Sequence, residues 1–235
     1  MFAHRSSTGP VDLAFTDRYD GVSAVPFDSL NLALVGDDDP EAVRRNVALL
    51  LDEFAPGATL ADMQQVHGHT VVEAGGPREQ CDALVTDRAD LVLMVRVADC
   101  VPVLLADPAA GVVGAAHAGR QGLVEDVVGA CVARMRDLGA STIQAWVGPH
   151  ICGSCYEVPA AMQQEVAGRE PASLATTSWG TPALDIGAGV RAQLERVGVT
   201  VTDVSRCTRE SPDLYSHRRD GAGAGRLAGV IRMRP

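Results

Sequence analysis

The sequence predicts one α/β (α+β) domain that combines a mixed β-sheet with interspersed helices. No Ser/Pro-rich linker, low-complexity tract or internal repeat divides the 235 residues, so the predicted domain covers 1–235. Strands predominate, and helices are interspersed among them without the regular alternation of a parallel sheet. Hairpin turns between neighbouring strands also favour a mixed sheet over a doubly wound parallel one.

The first predicted helix begins at Pro40 and contains EAVRRNVALLLDEF. Acidic residues 37–39 precede it, where they stabilise the positive end of the helix dipole. The helical period of its apolar side chains supports the assignment. These side chains are Val43, Val47, Leu50 and Phe54.

The middle of the chain predicts a series of strands. Residues 59–74 indicate one strand, a tight turn at Gly68 and a second strand. Residues 89–107 form two β-rich runs that are too continuously apolar for a sheet buried on one face only. A turn at 108–111 leads into 111–119, which predicts an antiparallel hairpin.

Helices are predicted again in the second half of the chain. The stretch 122–139 has one apolar face and ends at a glycine, a common helix terminator. That face contains Leu123, Val127, Cys131, Met135 and Leu138. Cys131 is therefore expected in the core. Beyond it we expect a strand, two helices and a last strand, at 143–150, 159–169, 187–198 and 225–233.

The composition restricts the function. Hydrophobic residues make up 46% and charged residues 21%, as in a globular protein with an Ala/Val/Leu/Gly core. The net charge of −10 argues against nucleic acids and anionic membranes as partners, because both bind basic surfaces. All twenty basic residues are arginines, which excludes a lysine Schiff base and a phosphate-loop lysine. Bound phosphate must therefore be held by arginine, by backbone N–H groups or by a metal.

The sequence also predicts a compartment. The first residues lack the uninterrupted apolar segment of a signal peptide, and no run reaches membrane-spanning length. We therefore expect a cytoplasmic protein. In that compartment the six cysteines are thiols, core residues or metal ligands rather than disulfides. Cys81 and Cys207 have no evident partner and are expected to be core or surface thiols.

His67, Cys100 and His117 are the candidate functional residues. Each lies at the end of a β-rich run beside a Gly or Pro turn, in HGH, DCVP and HAG. One cysteine and two histidines form a known donor set for catalytic zinc, with a fourth position open. The spacing also permits three residues that pack independently. It equally permits a metal-free Cys100–His117 dyad of nucleophile and base.

Other metal chemistries fit less well. A nucleobase-deaminase zinc site needs H-x-E followed by P-C-x-x-C, and His117-Ala-Gly lacks the glutamate. A blue copper with a trinuclear centre needs more histidines than the six present, so copper is not expected. Cys152-Gly-Ser-Cys155 is consistent with a redox or metal motif and equally with a simple turn. We expect neither of its cysteines to bind zinc, because Cys/His/His already completes a three-ligand site.

Seven blocks span nearly the whole chain: SLNLALVGDD, QQVHG, DALVTD, ADCVPVLLAD, AAHAG, GPHICGSCYEV and SHRRDGAGAGRLAGVI. In this order they resemble the YfiH-like family, also called the laccase-domain or polyphenol-oxidase family and, in bacteria, peptidoglycan-editing factor. The resemblance implies a cysteine-hydrolase-like domain with a mixed sheet between helical layers. It also implies that the family's catalytic zinc site, one Zn²⁺ per chain, falls on His67, Cys100 and His117.

Members of that family are described as purine nucleoside phosphorylases and adenosine deaminases. The resemblance implies phosphorolysis of adenosine, inosine, guanosine or methylthioadenosine, with inorganic phosphate as co-substrate and a small nucleoside as partner. An open zinc position fits deamination directly, because zinc lowers the pKa of its water to about 7. The alternative is a cell-wall precursor quality-control (peptidoglycan-editing) hydrolase or binding factor that uses the Cys100–His117 dyad. We do not expect laccase activity.

Phosphate and ribose require donors, and arginines are the candidates. Arg218 and Arg219 in SHRRDG come first, and Arg45 with Asn46 on the first helix are weaker candidates. Each is otherwise a solvated or salt-bridged surface residue. Arg120 is a further candidate, because it lies at the turn that opens the predicted helix 122–139, and helix N-terminal amides and a guanidinium both bind phosphate.

Asn31 in SLNL either caps a turn or contacts substrate. We place it in the site because the resemblance includes that block. The chain departs from the family at two points. Most members read HAGWRG where this chain reads HAGRQG from His117, so the tryptophan is absent and the arginine has moved by one position. Val47 stands where many members have arginine. Both departures bear on affinity or substrate range.

Overall fold

The computed structural model describes residues 1–234, which form two mixed β-sheets stacked face to face with helices on both outer faces. The predicted α/β class, with mixed strands flanked by helices, is confirmed. The sequence predicts one central sheet, whereas the chain divides its strands between two. Pro235, the last residue of the predicted domain, lies outside the described residues.

The strands β1 to β13 are Phe2–Thr8, Val11–Thr16, Thr59–Asp62, Val71–Glu73, Ala83–Thr86, Leu91–Val97, Val101–Asp107, Val112–Ala118, Gln144–Val147, Leu174–Thr176, Pro182–Leu184, Thr200–Asp203 and Leu227–Met233. The helices α1 to α6 are Pro40–Phe54, Arg120–Val124, Val127–Asp137, Ala160–Arg169, Ile186–Arg196 and His217–Asp220. Two 3₁₀ turns, Pro171–Ser173 and Gly221–Gly223, complete the elements.

Both large sheets are antiparallel in the middle and carry parallel pairs at their edges. The five-stranded sheet has the order β1-β2-β13-β6-β3, with β3 parallel to β6. The six-stranded sheet has the order β12-β9-β7-β8-β5-β4, with parallel pairs at both edges. Strands β10 and β11 form a separate ribbon. The predicted hairpin is confirmed, because β7 and β8 pair antiparallel along their whole length.

The strands at the centre are buried on both faces. In β6, Leu93 and Val95 point into the layer between the sheets, and Val92 and Met94 point outward. Every residue of β6, β7 and β8 is buried. The continuous apolar runs in the sequence reflect this two-sided burial, since a strand covered on one face alternates apolar and polar residues.

The helices close the outer faces of the sheets. Helix α1 covers the five-stranded sheet with Leu50 and Phe54. Helices α3, α4 and α5 cover the six-stranded sheet, with Cys131, Val166 and Val190 among the fully buried side chains. The expected core position of Cys131 is confirmed. The resulting order of layers is helix, sheet, sheet, helix.

The helix predicted over 122–139 is wrong as one element, because two helices, α2 and α3, occupy this region. Asp126 interrupts it with a left-handed φ of 56°. Its carboxylate accepts the N–H of Gly129 at 3.1 Å and caps the second helix. Asp stabilises helix N-termini in this way, and its short side chain tolerates the left-handed region.

The chain passes twice from one sheet to the other on its way into the six-stranded sheet. Strand β3 belongs to the first sheet and β4 to the second, so residues 63–70 are a crossing rather than the predicted tight turn within one sheet. Strands β6 and β7 also lie in different sheets, and only Ala98–Cys100 separates them. These two crossings carry His67 and Cys100.

The layer between the sheets should carry much of the stability. Leu93 is fully buried there, so Leu93→Ala should lower the free energy of unfolding by about 2–5 kcal/mol, through lost burial and a residual cavity. Leu174→Ala makes the same change at a side chain that is 62% exposed and should alter stability by less than ~0.5 kcal/mol. Urea denaturation of both variants measures the difference. Equal losses would contradict the stacked-sheet core.

Candidate metal centre

Three side chains from separate parts of the chain meet at one end of the stacked sheets. His67 comes from the 63–70 crossing, Cys100 directly precedes β7, and His117 lies near the end of β8. Their ligand atoms all lie within 4.8 Å of one another. His67 Nε2 is 3.9 Å from Cys100 Sγ. We call this group the Cys100 centre.

Asp82, directly before β5, organises two of the three members. Its Oδ1 lies 2.8 Å from His117 Nδ1, which leaves Nε2 of that ring for the centre. The same carboxylate accepts the backbone N–H groups of residues 66, 67 and 68 at 3.2, 3.0 and 2.7 Å. Burial alone would raise the pKa of Asp82, but the hydrogen bonds from His117 and Gly68 outweigh it and lower the pKa. One buried carboxylate thus holds both histidine-bearing segments.

Backbone conformation also helps to fix the positions of His67 and Cys100. His67 has a φ of 63° and Asp99, just before Cys100, has a φ of 91°. The Asp99 carboxylate accepts Thr208 Oγ1–H and the N–H of Arg218, both at 2.6 Å. Non-glycine residues rarely adopt positive φ, and these two are held there by the hydrogen bonds around them.

Gly119 provides the space that the centre needs. A Cβ atom at this position would lie 2.9 Å from His67 Cδ2 and 3.2 Å from Cys100 Sγ. Any side chain there would displace the ring or the thiol. The glycine after His117-Ala118 is thus required by close approach.

Electrostatics make Cys100 a ready ligand. Burial disfavours its thiolate, but the charge on His117 and the hydrogen bonds from His117 and His67 lower its pKa to about 6. Burial likewise opposes a charge on His117, while Cys100 and Asp82 raise its pKa to about 9. The pair is therefore a thiolate and an imidazolium at neutral pH, and a bound cation would replace the imidazolium proton.

The donor set fits a transition-metal ion. One thiolate and two imidazole nitrogens are ligands that zinc prefers, and three protein ligands leave a further position open. The Asp82–His117 hydrogen bond is the outer carboxylate–histidine contact that orients metal-bound imidazoles. The structure thus assembles a candidate site for one metal ion from the three residues that the sequence singles out.

Two cavities include Cys100 in their walls. The larger has a volume of about 400 Å³, and its wall includes His67, His117, Arg96 and Arg226. The smaller has a volume of about 160 Å³, and its wall includes Gly119, Arg120, Tyr156 and Arg218. Cys100 and His217 line both cavities.

Two of the predicted phosphate-binding arginines lie in the smaller cavity. Arg120 is half-buried, and its side chain has no hydrogen-bond or ion-pair partner within residues 1–234. Arg218 donates Nη1–H to the carbonyl of Glu157 at 2.8 Å, and its guanidinium carbon lies 4.9 Å from the centroid of the Tyr156 ring. Arg218 therefore forms part of the wall, and Arg120 keeps its donors free.

The other candidates lie away from both cavities. Arg45 is exposed on α1, and the Asn46 side chain is fully buried and hydrogen-bonded to the loop at 22–31. Asn31 is 1% exposed, and its Oδ1 accepts two backbone N–H groups, including that of Arg226 at 2.9 Å. Arg219 donates to carbonyls of residues 208–214. Asn31, Asn46 and Arg219 thus hold loops in place.

Several residues of this region are not among the predicted site residues. Asp82 opens the DALVTD block, and its position facing the end of β8 is visible only once β5 and β8 are paired. Arg96 and Arg226 belong to strand-rich stretches that predict core, and His217 is the histidine of SHRRDG. His69, the second histidine of HGH, bonds Glu125 at 2.7 Å instead of joining the centre.

The surroundings of Cys207 differ from the expectation of a lone core or surface thiol. The sequence offers it no partner, whereas the structure brings its thiol to those of Cys152 and Cys155, with Glu210 beside them. Cys81, as expected for a core thiol, is fully buried.

Comparison with known proteins identifies the family. Residues 12–234 match the family described as multi-copper polyphenol oxidoreductase laccase. A Streptomyces coelicolor relative named purine nucleoside phosphorylase is 50% identical over 240 residues, covering 98% of this chain and 99% of the relative. The chain belongs to this family, and the resemblance seen in the sequence is confirmed.

Solved structures show the same fold. A Neisseria meningitidis protein superposes with a TM-score of 0.88 at 33% identity, covering 97% of this chain and 96% of that one. YfiH of Bacillus licheniformis superposes with a TM-score of 0.85 at 26% identity, covering 95% and 93%. Within residues 1–234, no helix combines the length and the apolar character needed to cross a membrane.

The role of Asp82 is open to a direct test. Asp82→Asn removes the carboxylate that orients His117, so metal affinity should fall by about 10- to 100-fold, measured by competition with a chromogenic chelator. Asp107→Asn is the matched control, because Asp107 is equally buried and accepts four backbone N–H groups, at residues 109, 110, 141 and 142, but contacts no member of the centre. Equal loss of metal affinity in both variants would contradict the assigned role.

Proposed function

We propose that this protein is a zinc-dependent purine nucleoside phosphorylase with adenosine deaminase activity. The observation that carries the proposal is the Cys/His/His centre at the junction of two cavities that differ in size and in free donors. The name of the Streptomyces coelicolor relative supports the same reaction class. The proposed substrates are adenosine, inosine, guanosine and methylthioadenosine.

Zinc is the proposed metal, one ion at the Cys100 centre, held by His67, Cys100 and His117. When bound, it supplies a Lewis acid with an open coordination position. The description of the family names copper, but a blue copper with a trinuclear centre needs more histidines than the six in this chain. The need for an unoxidised Cys100 thiol supports a cytoplasmic location for the proposed enzyme.

The larger cavity is the proposed nucleoside site. Its volume of about 400 Å³ is in the range of small-ligand pockets, which run from roughly 300 to 1,000 Å³. Arg96 lines it, is 6% exposed, and has a buried Nη1 without a hydrogen-bond partner within residues 1–234. A buried donor of this kind is costly unless it is paired, so a polar edge of the substrate is a fitting partner.

The smaller cavity is the proposed phosphate site. The unpaired guanidinium of Arg120 lines the same cavity as Cys100, and the sequence has no lysine that could bind phosphate there. Guanidinium groups bind phosphate through two parallel hydrogen bonds. The arginine that has moved by one position in HAGRQG therefore remains available to the co-substrate.

Phosphorolysis requires the two ligands on opposite sides of the sugar. A phosphate oxygen forms a bond to C1′ of the ribose, the C1′–N9 bond breaks, and its electron pair leaves with the purine, which takes up a proton. The products are ribose 1-phosphate and the free base. The two cavities, which share Cys100 and His217 in their walls, are the proposed positions of the two ligands. Deamination at C6 involves no phosphate, so it needs only the larger cavity.

One observation favours a second candidate function. Asp82, His117 and Cys100 form a chain of contacts that also suits a nucleophilic cysteine with its base and orienting acid. This arrangement would serve a hydrolase of cell-wall precursors. His67 distinguishes the two functions, because its Nε2 faces the thiol at 3.9 Å and has no task in a dyad.

Turnover assays test the proposal. With adenosine or inosine, release of free base should require phosphate and yield ribose 1-phosphate, and conversion of adenosine to inosine should proceed without phosphate. Cys100→Ala should lose the metal ion of the Cys100 centre and both activities together, whereas Cys81→Ala, which removes a buried thiol outside the centre, should retain them.

Two results would overturn the assignment in favour of the dyad. The first is a Cys100→Ala protein that keeps its full metal content. The second is an acyl-enzyme trapped on Cys100 with muropeptide substrates, together with no nucleoside turnover by the wild type.

Arg120 allows the two activities to be separated. Arg120→Ala should lower phosphate-dependent cleavage by about 10- to 100-fold, the effect of losing a hydrogen bond to a charged group, and leave deamination nearly unchanged. Arg45→Ala removes an exposed arginine that lines neither cavity and should affect neither reaction. Steady-state kinetics at varied phosphate concentration measures the difference. Equal losses in both activities would show that Arg120 does not bind phosphate.

A further inference from the structure

A second group of metal-binding side chains lies beside the Cys100 centre. It combines a loop after β9 with a loop after β12. The thiols and the carboxylate oxygen of this group all lie within 4.8 Å of one another. Its members, which we call the second donor cluster, are Cys152, Cys155, Cys207 and Glu210.

Both loops present their donors with the same spacing. Each has a first donor at position i and a second at i+3, and each folds into a turn. The N–H of Cys155 bonds the carbonyl of Cys152 at 3.0 Å, and the N–H of Ser211 bonds the carbonyl of Cys207 at 3.0 Å. Paired turns with two donors three residues apart are the usual frame of structural zinc sites.

Backbone pairing sets the loops against each other. His150 and Cys207 form an isolated parallel β-bridge. The N–H of His150 bonds the carbonyl of Arg206 at 3.2 Å, and the N–H of Thr208 bonds the carbonyl of His150 at 3.0 Å. The convergence of the donors therefore rests on fixed main-chain register and not on flexible side chains alone.

We propose that the second donor cluster binds a structural Zn²⁺ ion. Zinc with Zn–S bonds of about 2.3 Å places tetrahedral ligands roughly 3.8 Å apart, and the four donors already lie within 4.8 Å of one another. A disulfide would join two of the donors and leave a third thiol and the carboxylate without a role. Four protein donors close the coordination shell, in contrast to the open position at the Cys100 centre.

The expectation that Cys152 and Cys155 are not ligands rests on the Cys100 centre already completing a three-ligand site, and it does not include a second ion. Cys207 and Glu210, more than fifty residues further along the chain, supply the missing half of the set. Burial and the neighbouring Cys207 raise the pKa of Cys152 to about 12, so without a cation the thiol keeps its proton. Metal binding in such sites displaces those protons.

The second zinc would stabilise the wall of the proposed phosphate cavity. Tyr156 directly follows Cys155, and its ring stacks with Arg218. Thr208 directly follows Cys207, and its hydroxyl donates to Asp99 at 2.6 Å. Both contacts hold residues that line the smaller cavity. The role is structural, since no member of the cluster lines either cavity.

Metal analysis tests the proposal without reference to activity. Wild-type protein purified under reducing conditions should contain two zinc ions per chain by inductively coupled plasma mass spectrometry. Cys207→Ser and Cys100→Ala should each retain one, and the double variant none. Cys81→Ala, which removes a thiol outside both clusters, should retain two.

A more conservative substitution at Glu210 tests the proposal with a smaller effect on folding. Glu210 is exposed, so Glu210→Gln should leave the fold intact and lower the affinity of one of the two zinc ions by at least about tenfold in chelator competition. In protein reconstituted with Co²⁺, three of the four thiolate ligands belong to the second donor cluster. Cys207→Ser should therefore remove most of the thiolate-to-cobalt charge-transfer absorption.

The alternatives give distinct results. One zinc per chain in the wild type, lost in Cys100→Ala and kept in Cys207→Ser, would overturn the proposal. An intact mass lower by two hydrogens, with thiols that alkylate only after reduction, would also overturn it and show a disulfide. If the Cys100 centre holds no metal but the proposal is correct, Cys207→Ser alone abolishes the zinc content.

Discussion

The passage of the chain between the two sheets at Ala98–Cys100 is the constraint on which the rest of the site depends. Strands β6 and β7 are each buried on both faces, so neither can shift without exposing core side chains. A connection this short must turn sharply, and Asp99 does so with a positive φ while its carboxylate accepts hydrogen bonds from Thr208 in a later loop and from Arg218 in α6. Cys100 therefore reaches its position as a consequence of how the core packs, and a metal site built on it needs little reorganisation.

The second crossing, at 63–70, is held by a buried carboxylate. Asp82 is fully buried, yet every part of its charge is met by a backbone N–H or by His117. An unpaired buried carboxylate would be strongly destabilising, so the loop, the strand end and the imidazole stabilise one another. The same interaction that satisfies the charge also sets the orientation of His117.

Hydrogen bonds link the two clusters of metal-binding side chains. Asp99 shapes the crossing that presents Cys100, and Thr208, which bonds it, follows directly after a thiol of the second donor cluster. Arg219 adds to this by donating to several carbonyls of the 208–214 loop. A contact network of this kind explains how a chain with few aromatic side chains keeps a loop-built cavity wall in one conformation.

The sequence by itself determined the types of most elements and the three members of the Cys100 centre. Period and run length identify α1 and the buried strands, and a thiol or imidazole at a strand end stands out against apolar neighbours. The tertiary structure decided the features that the hydrophobic pattern of the sequence does not encode. A strand buried on both faces has the same pattern in one sheet as in two, so the division between sheets was invisible. The interruption at Asp126 depends on a side-chain cap, and the pairings of Asp82 with His117 and of Cys207 with Cys152 join residues far apart in sequence. Only the fold brings such residues within bonding distance, because their proximity is set by strand register and loop crossing and not by spacing along the chain.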